Sequence, residues 1–101
     1  MIARTWKGAV RAQDADAYVE YLERTGFAGF RETAGNAGYL GLRRIDGDRC
    51  EFLVISLWDS IDDVKRFAGD HVETAVFYPE DDRFLIERET TATHFEVVGR
   101  A

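Results

Sequence analysis

Nine consecutive residues, Cys50-Glu51-Phe52-Leu53-Val54-Ile55-Ser56-Leu57-Trp58, constrain the fold more than any other feature of this chain. Their aromatic and β-branched content reads as a strand, and successive strand side chains point to opposite faces. Phe52, Val54 and Trp58 then share one face, and Leu53, Ile55 and Leu57 share the other. An antiparallel strand with one wet face alternates apolar with polar residues. This strand is apolar on both faces, so both need cover. The 101 residues hold a single domain, residues 1–101. Its two main predicted helices suffice for one face of a sheet. The economical cover for the other face is a second copy of the same sheet, so the pattern predicts a symmetric homodimer.

The flanking segments fit around that strand. Tyr39 to Ile45 reads as its hairpin partner, because Asp46-Gly47-Asp48 supplies the positive φ that tight turns need. Ile2 to Val10 alternates as a first strand, with Ile2, Arg4, Trp6, Gly8 and Val10 on one face. Asp14 or Asp16 is expected to cap a helix whose apolar stripe is Ala15, Tyr18, Val19 and Leu22. Gly26 is suited to the position just past its end. A short helical piece carrying Phe27, Phe30 and Arg31 follows, and Gly35-Asn36-Ala37-Gly38 turns the chain. Ser60 caps the next helix, with Asp62 and Asp63 in its first turn and Ile61, Val64 and Phe67 or Ala68 on its buried side. Gly69 ends it. Val72, Ala75 and Val76 suggest one more short helix before Pro79, and a last strand runs from about Leu85 to Val98. The order β-α-β-β-α-β is the split βαβ of a ferredoxin-like α+β fold with an antiparallel sheet.

Charge excludes one class of partner. The net charge is −6. Residues 59–89 account for the excess, holding ten acids against Lys65, Arg66, Arg83 and Arg88. Nucleic acid binding needs clustered cations, and only Arg43-Arg44 and Lys65-Arg66 are adjacent, so none is expected. The run Glu80-Asp81-Asp82 reads as solvated loop charge. A single cysteine, Cys50, excludes an internal disulfide and reads as a small buried hydrophobe. No stretch reaches the length of a membrane span, and residues 1–7 lack the pattern of a signal peptide. A cytoplasmic protein without membrane contact is expected.

The segment Leu57-Trp58-Asp59-Ser60, running into Ile61-Asp62-Asp63-Val64-Lys65-Arg66-Phe67-Ala68, resembles a recurring stretch of the antibiotic biosynthesis monooxygenase-like proteins. There a strand ends in a Trp followed two residues later by a helix-capping Ser. His71, in Gly69-Asp70-His71-Val72, falls where many members carry a His. The tail Tyr78 to Leu85 is similar to an uncharacterised branch of that superfamily, and the element order extends the resemblance over nearly the whole chain. The resemblance implies a dimeric α/β barrel with a pocket between each sheet and its own helices. It implies, as activity, a cofactor-independent monooxygenase, an oxidoreductase acting on a small aromatic molecule. The alternative from another class is a non-catalytic dimeric module that binds a small ligand or a partner. Haem-degrading members resemble one another in an Asn on the first strand plus a Trp and a His around the second helix. This first strand has no Asn, and Phe67 and Phe77 fall at the other two places, so no haem cofactor is expected.

Cofactor-free oxygenation needs a base and a dry pocket that stabilises a carbanion or enolate. Histidine titrates near neutrality, which makes His71 the candidate base, with His94 on the last strand as the second imidazole; either can equally be a structural or surface His. Trp6 and Trp58 are candidates for stacking on a flat ligand, or for core packing at strand ends. Arg4 shares a strand face with Trp6 and is a candidate to hold an enolate or carboxylate, or to form a salt bridge at the sheet edge. Tyr78 is a candidate phenol for the same ligand, or an amphipathic residue at a core boundary. Two separated histidines give no basis for a metal site.

Overall fold

The computed structural model describes all residues from 1 to 101. Strand β1 (Ile2–Arg11) passes through a 3-10 turn into α1 (Ala15–Arg24) and α2 (Gly26–Glu32). The hairpin β2 (Asn36–Asp46) and β3 (Arg49–Trp58) follows, then α3 (Ile61–Ala68). A long connection, residues 69–80, leads to the single turn α4 (Asp81–Phe84) and the short strands β4 (Leu85–Arg88) and β5 (Thr93–Glu96). The sheet is antiparallel in the order β2-β3-β1-β4, with β5 also on β1. This is the ferredoxin-like α+β arrangement expected from the sequence, with β1 and β3 at its centre.

Local chemistry explains most element ends. Gly47 closes the β2–β3 hairpin at φ 65°, in the left-handed region that costs glycine little. Ser60 caps α3, its Oγ accepting from the Asp63 backbone N–H at 3.3 Å and donating to the Asp63 carboxylate at 2.8 Å. The expected acidic cap of α1 is not made. Asp14 holds Arg11 Nε at 2.9 Å and Asp16 holds Arg43 at 2.7 Å, so both carboxylates are drawn to arginines instead.

Two further expectations need correction. Residues 72–76 form no helix; Thr74 makes a bridge to Thr91, and Ala75 N–H and Ala92 N–H bond across the same pair of segments. The strand expected over 85–98 is broken into β4 and β5 because residues 90–92 leave the edge of β1 to pair with that connection. The inserted turn α4 was not read from the sequence.

The core lies on one side of the sheet. Val10, Cys50, Phe52, Val54 and Trp58 pack against Tyr18, Leu22, Phe27, Phe30, Val64 and Phe84. The other side carries no layer. Register places Leu42 beside Leu53, Leu40 beside Ile55, and Leu57 and Phe95 on either side of Ala3. Leu40, Leu42 and Phe95 are 56%, 44% and 55% exposed. An apolar face of this extent on a sheet is unusual for a surface meant only for water.

Candidate functional site

The alternation of β1 sends Arg4 and Trp6 to the helical side, where Val54 of β3 lies beside them across the Trp6–Val54 pair. Tyr18 and Leu22 reach the same place from α1, Phe27 and Phe30 from α2, and Phe67 from α3. Residues 75–78 of the long connection lie across it. Together they line a half-open cleft with about 60 Å³ of internal space, and twelve of its sixteen lining residues are apolar. Its composition, an apolar and aromatic lining with a few polar groups, is that of small-molecule sites.

Glycines make room for the aromatic lining. A Cβ on Gly8 would lie 2.5 Å from the Trp6 ring, so only glycine lets the indole lie back along the strand. The indole N–H donates to the Glu89 carbonyl at 2.7 Å and its ring meets Phe77 edge-on at 6.1 Å. On α2, a Cβ at Gly29 would stand 3.0 Å from both the Phe67 ring and the Tyr78 hydroxyl oxygen.

Four polar groups interrupt this apolar surface. Arg4 is 5% exposed; it donates to the carbonyls of Val72 and Thr74, the latter at 3.1 Å, and its Nη1 lies 3.0 Å from His94 Nε2. Burial, then the Arg4 charge, holds the His94 pKa below its ordinary value, so its Nε2 is the acceptor in that contact. Asp81 is equally buried, with Oδ1 accepting from the Tyr18 hydroxyl at 3.0 Å and Oδ2 from the Tyr78 N–H at 2.7 Å. Burial, reinforced by the charge of Asp81, pushes the phenol of Tyr18 well up and that of Tyr78 in the same direction, so both remain protonated donors.

The sequence-predicted residues divide accordingly. Arg4, Trp6 and Tyr78 line the cleft. Trp58, expected there as a stacking residue, is instead fully buried beneath it, donating to Ser56 Oγ at 2.9 Å and packing on Phe30 and Phe67. It ends β3 beneath α2 and α3, with none of its surface open to the cleft. His71, expected as the base, is exposed on the connection after Gly69 and does not line the cleft; its neighbour Val72 turns inward to Arg4. Asp81 was missed, since acid runs at a loop are usually solvated. The spacing of Tyr78 and Asp81, with an Asp accepting from a backbone N–H three residues back, is the local turn that carries it inside.

Comparison with solved structures gives sixteen matching chains, two of which match over essentially their full length. One is a variant of MhuD with two manganese protoporphyrin IX molecules bound per active site, at 16% identity and TM-score 0.61, covering 100% of this chain and 98% of that one. The other is a Bacillus cereus protein whose designation as an antibiotic biosynthesis monooxygenase is itself inferred, at 17% identity and TM-score 0.67, covering 99% and 95%. At these identities the likeness is one of fold, an antiparallel α+β sheet with its helices on one side. No family model matches the sequence, and no curated protein does. Within this fold the cleft of the present chain does not suit haem. Protein ligands of haem iron are imidazole, thiolate, thioether or phenolate. No His, Cys or Met lines the cleft, and its two phenols are held protonated.

Proposed function

We propose that the protein is a cofactor-independent monooxygenase that oxidises a small aromatic molecule in the cleft between its sheet and helices. The observation that carries this reading is the cleft lining: Trp6, Phe27, Phe30, Phe67, Phe77 and Tyr78 surround it, and Arg4 and Asp81 lie within it. An aromatic wall binds a flat ring and excludes water, which strengthens every charge interaction inside. In this reading Arg4 and the Tyr78 hydroxyl are the donors that stabilise negative charge on a bound oxygen. Asp81, the one carboxylate in the lining, takes the proton there rather than the exposed His71.

The chemistry needs only the substrate and dioxygen. Removal of a proton from an activated CH2 leaves a carbanion, which passes one electron to dioxygen. The radical pair combines to a peroxide anion, which takes back the proton to give a hydroperoxide, and this loses water and leaves a carbonyl. Two substrate hydrogens depart with one oxygen atom as water, and the other oxygen is retained in the product. The work of the chain is to bind the ring, hold the anion and receive the proton.

The functional unit is a homodimer. The exposed apolar face built from Leu40, Leu42, Leu53, Ile55, Leu57 and Phe95 has no further element of this chain to cover it, and two such faces are self-complementary about a twofold axis.

Oxygen uptake with an anthrone as probe substrate tests the activity. The expected result is one dioxygen consumed per carbonyl formed, with Asp81→Asn slowing turnover per folded molecule about a hundredfold and His71→Asn leaving it unchanged. Uptake no faster than without protein overturns the reading. Binding of the anthrone without uptake would leave the non-catalytic ligand-binding module in its place.

A further inference from the structure

Arg4 is a buried cation with no anion. None of the eight ion pairs of the chain includes it. Its partners are two backbone carbonyls and a neutral imidazole, which satisfy hydrogen bonds without returning a charge. Asp81, the only carboxylate in the same lining, is held by Tyr18 and the Tyr78 N–H instead. Charges removed from water are ordinarily paired, so this guanidinium is a site prepared for a counter-ion that the chain does not supply.

The hydrogen bonds define which part of it is open. A guanidinium carries five N–H donors. Nη1 serves the Val72 carbonyl and His94, and one Nη2 hydrogen serves the Thr74 carbonyl. One donor on Nη2 and the single donor on Nε are left. No fully buried side-chain nitrogen in the protein lacks a partner, so the unpartnered Nε keeps access to solvent, and Arg4 lines the cleft. Nε and Nη2 share one edge of the planar guanidinium, so the two remaining donors lie in one plane. That edge matches the two oxygens of a carboxylate. Beside it stand Trp6 and the segment bearing Phe77 and Tyr78, which match a ring.

We propose that the ligand of this cleft is an aromatic acid, bound as its carboxylate to the free edge of Arg4 with its ring against Trp6. The inference rests on the cleft being the ligand site. His94, the strand partner of Arg4 on β5, holds Nη1 through its neutral Nε2 at 3.0 Å.

Calorimetric titration of the intact protein with 2-naphthoate and with 2-naphthamide, which differ in charge and not in ring, tests this. The naphthoate is expected to bind at least about tenfold more tightly, and the Arg4 Nε–H proton resonance to move downfield with naphthoate alone. Arg4→Met should abolish the preference while leaving weak amide binding. Because that variant also loses two bonds to the 72–74 segment, the wild-type comparison and the Nε–H resonance decide the matter even if it fails to fold. Equal affinity for the two probes, with Nε–H unmoved, overturns the carboxylate assignment and leaves the aromatic cleft standing. Binding of neither overturns the proposed site and this inference with it.

Discussion

Replacing Tyr18 by Phe removes one oxygen atom and leaves the ring in place against Phe52, at a centroid distance of 5.1 Å, and Phe84, at 5.3 Å. The lost group donates to Asp81 at 3.0 Å between side chains that are 1% and 5% exposed. A buried hydrogen bond to a charged acceptor contributes about 2 kcal/mol, since its removal strands part of the acceptor's charge. For a domain of this size each kcal/mol moves the melting midpoint by about 4–8 °C, so the loss should be about 8–16 °C. Asp81→Asn alone should cost a similar amount, and the double variant less than the sum, with a coupling of about 1–2 kcal/mol. Thermal melting of the four proteins at neutral pH measures all of this. A change below about 0.5 kcal/mol for Tyr18→Phe is what a solvated surface acid would give. That result would refute the placement of Asp81 inside the cleft.

Stability should fall as pH rises above about 10, because Tyr18 ionises freely in the unfolded chain while its folded pKa is pushed up; the slope is up to about 1.4 kcal/mol per pH unit for that group. Below pH 10 this contribution is fully present, so a midpoint of chemical unfolding unchanged from pH 9 to 11 would contradict it. Gly8→Ala should force the Trp6 ring from its place, costing about 1–3 kcal/mol and shifting the indole emission to the red; an unshifted spectrum would show that the ring has other room. Ile55→Asp should leave a folded monomer in sedimentation, because an unpaired carboxylate on the covered face is costly to bury; an unchanged dimer would place the interface elsewhere. Haem added with a reductant should give no stoichiometric Soret band and no open tetrapyrrole, and either one would overturn the fit argument.

The centre of the fold was legible because its signals are local and strong. The apolar run of β3, the Asp46-Gly47-Asp48 turn and the Ser60 cap each state their local structure in a few residues, and the observed strand register, hairpin and cap agree with them. The region after Gly69 was not legible, since its form is set by distant partners. Arg4 draws in the Val72 and Thr74 carbonyls from 68 and 70 residues away, and the bridge of Thr74 to Thr91 replaces both the expected helix and the middle of the expected strand. The site followed the same division. The position of Arg4 and Trp6 on the cleft side was legible because strand alternation fixes their face. Trp58 has the same alternation, yet burial depth separates it from the cleft, and depth is not encoded in periodicity. Asp81 lay hidden in an acidic run of three whose other members, Glu80 and Asp82, are exposed.

The central claim, that the cleft between sheet and helices holds a flat aromatic ligand, is tested most directly by methyl NMR. Titration of methyl-labelled protein with 2-naphthoate should shift Val54, Ala75, Val76 and Ala92, which line the cleft, through the ring current of the bound molecule. Leu40, Leu42 and Ile55 on the opposite face of the sheet should stay where they are. Shifts confined to that opposite face, or none at saturating ligand, would contradict the account.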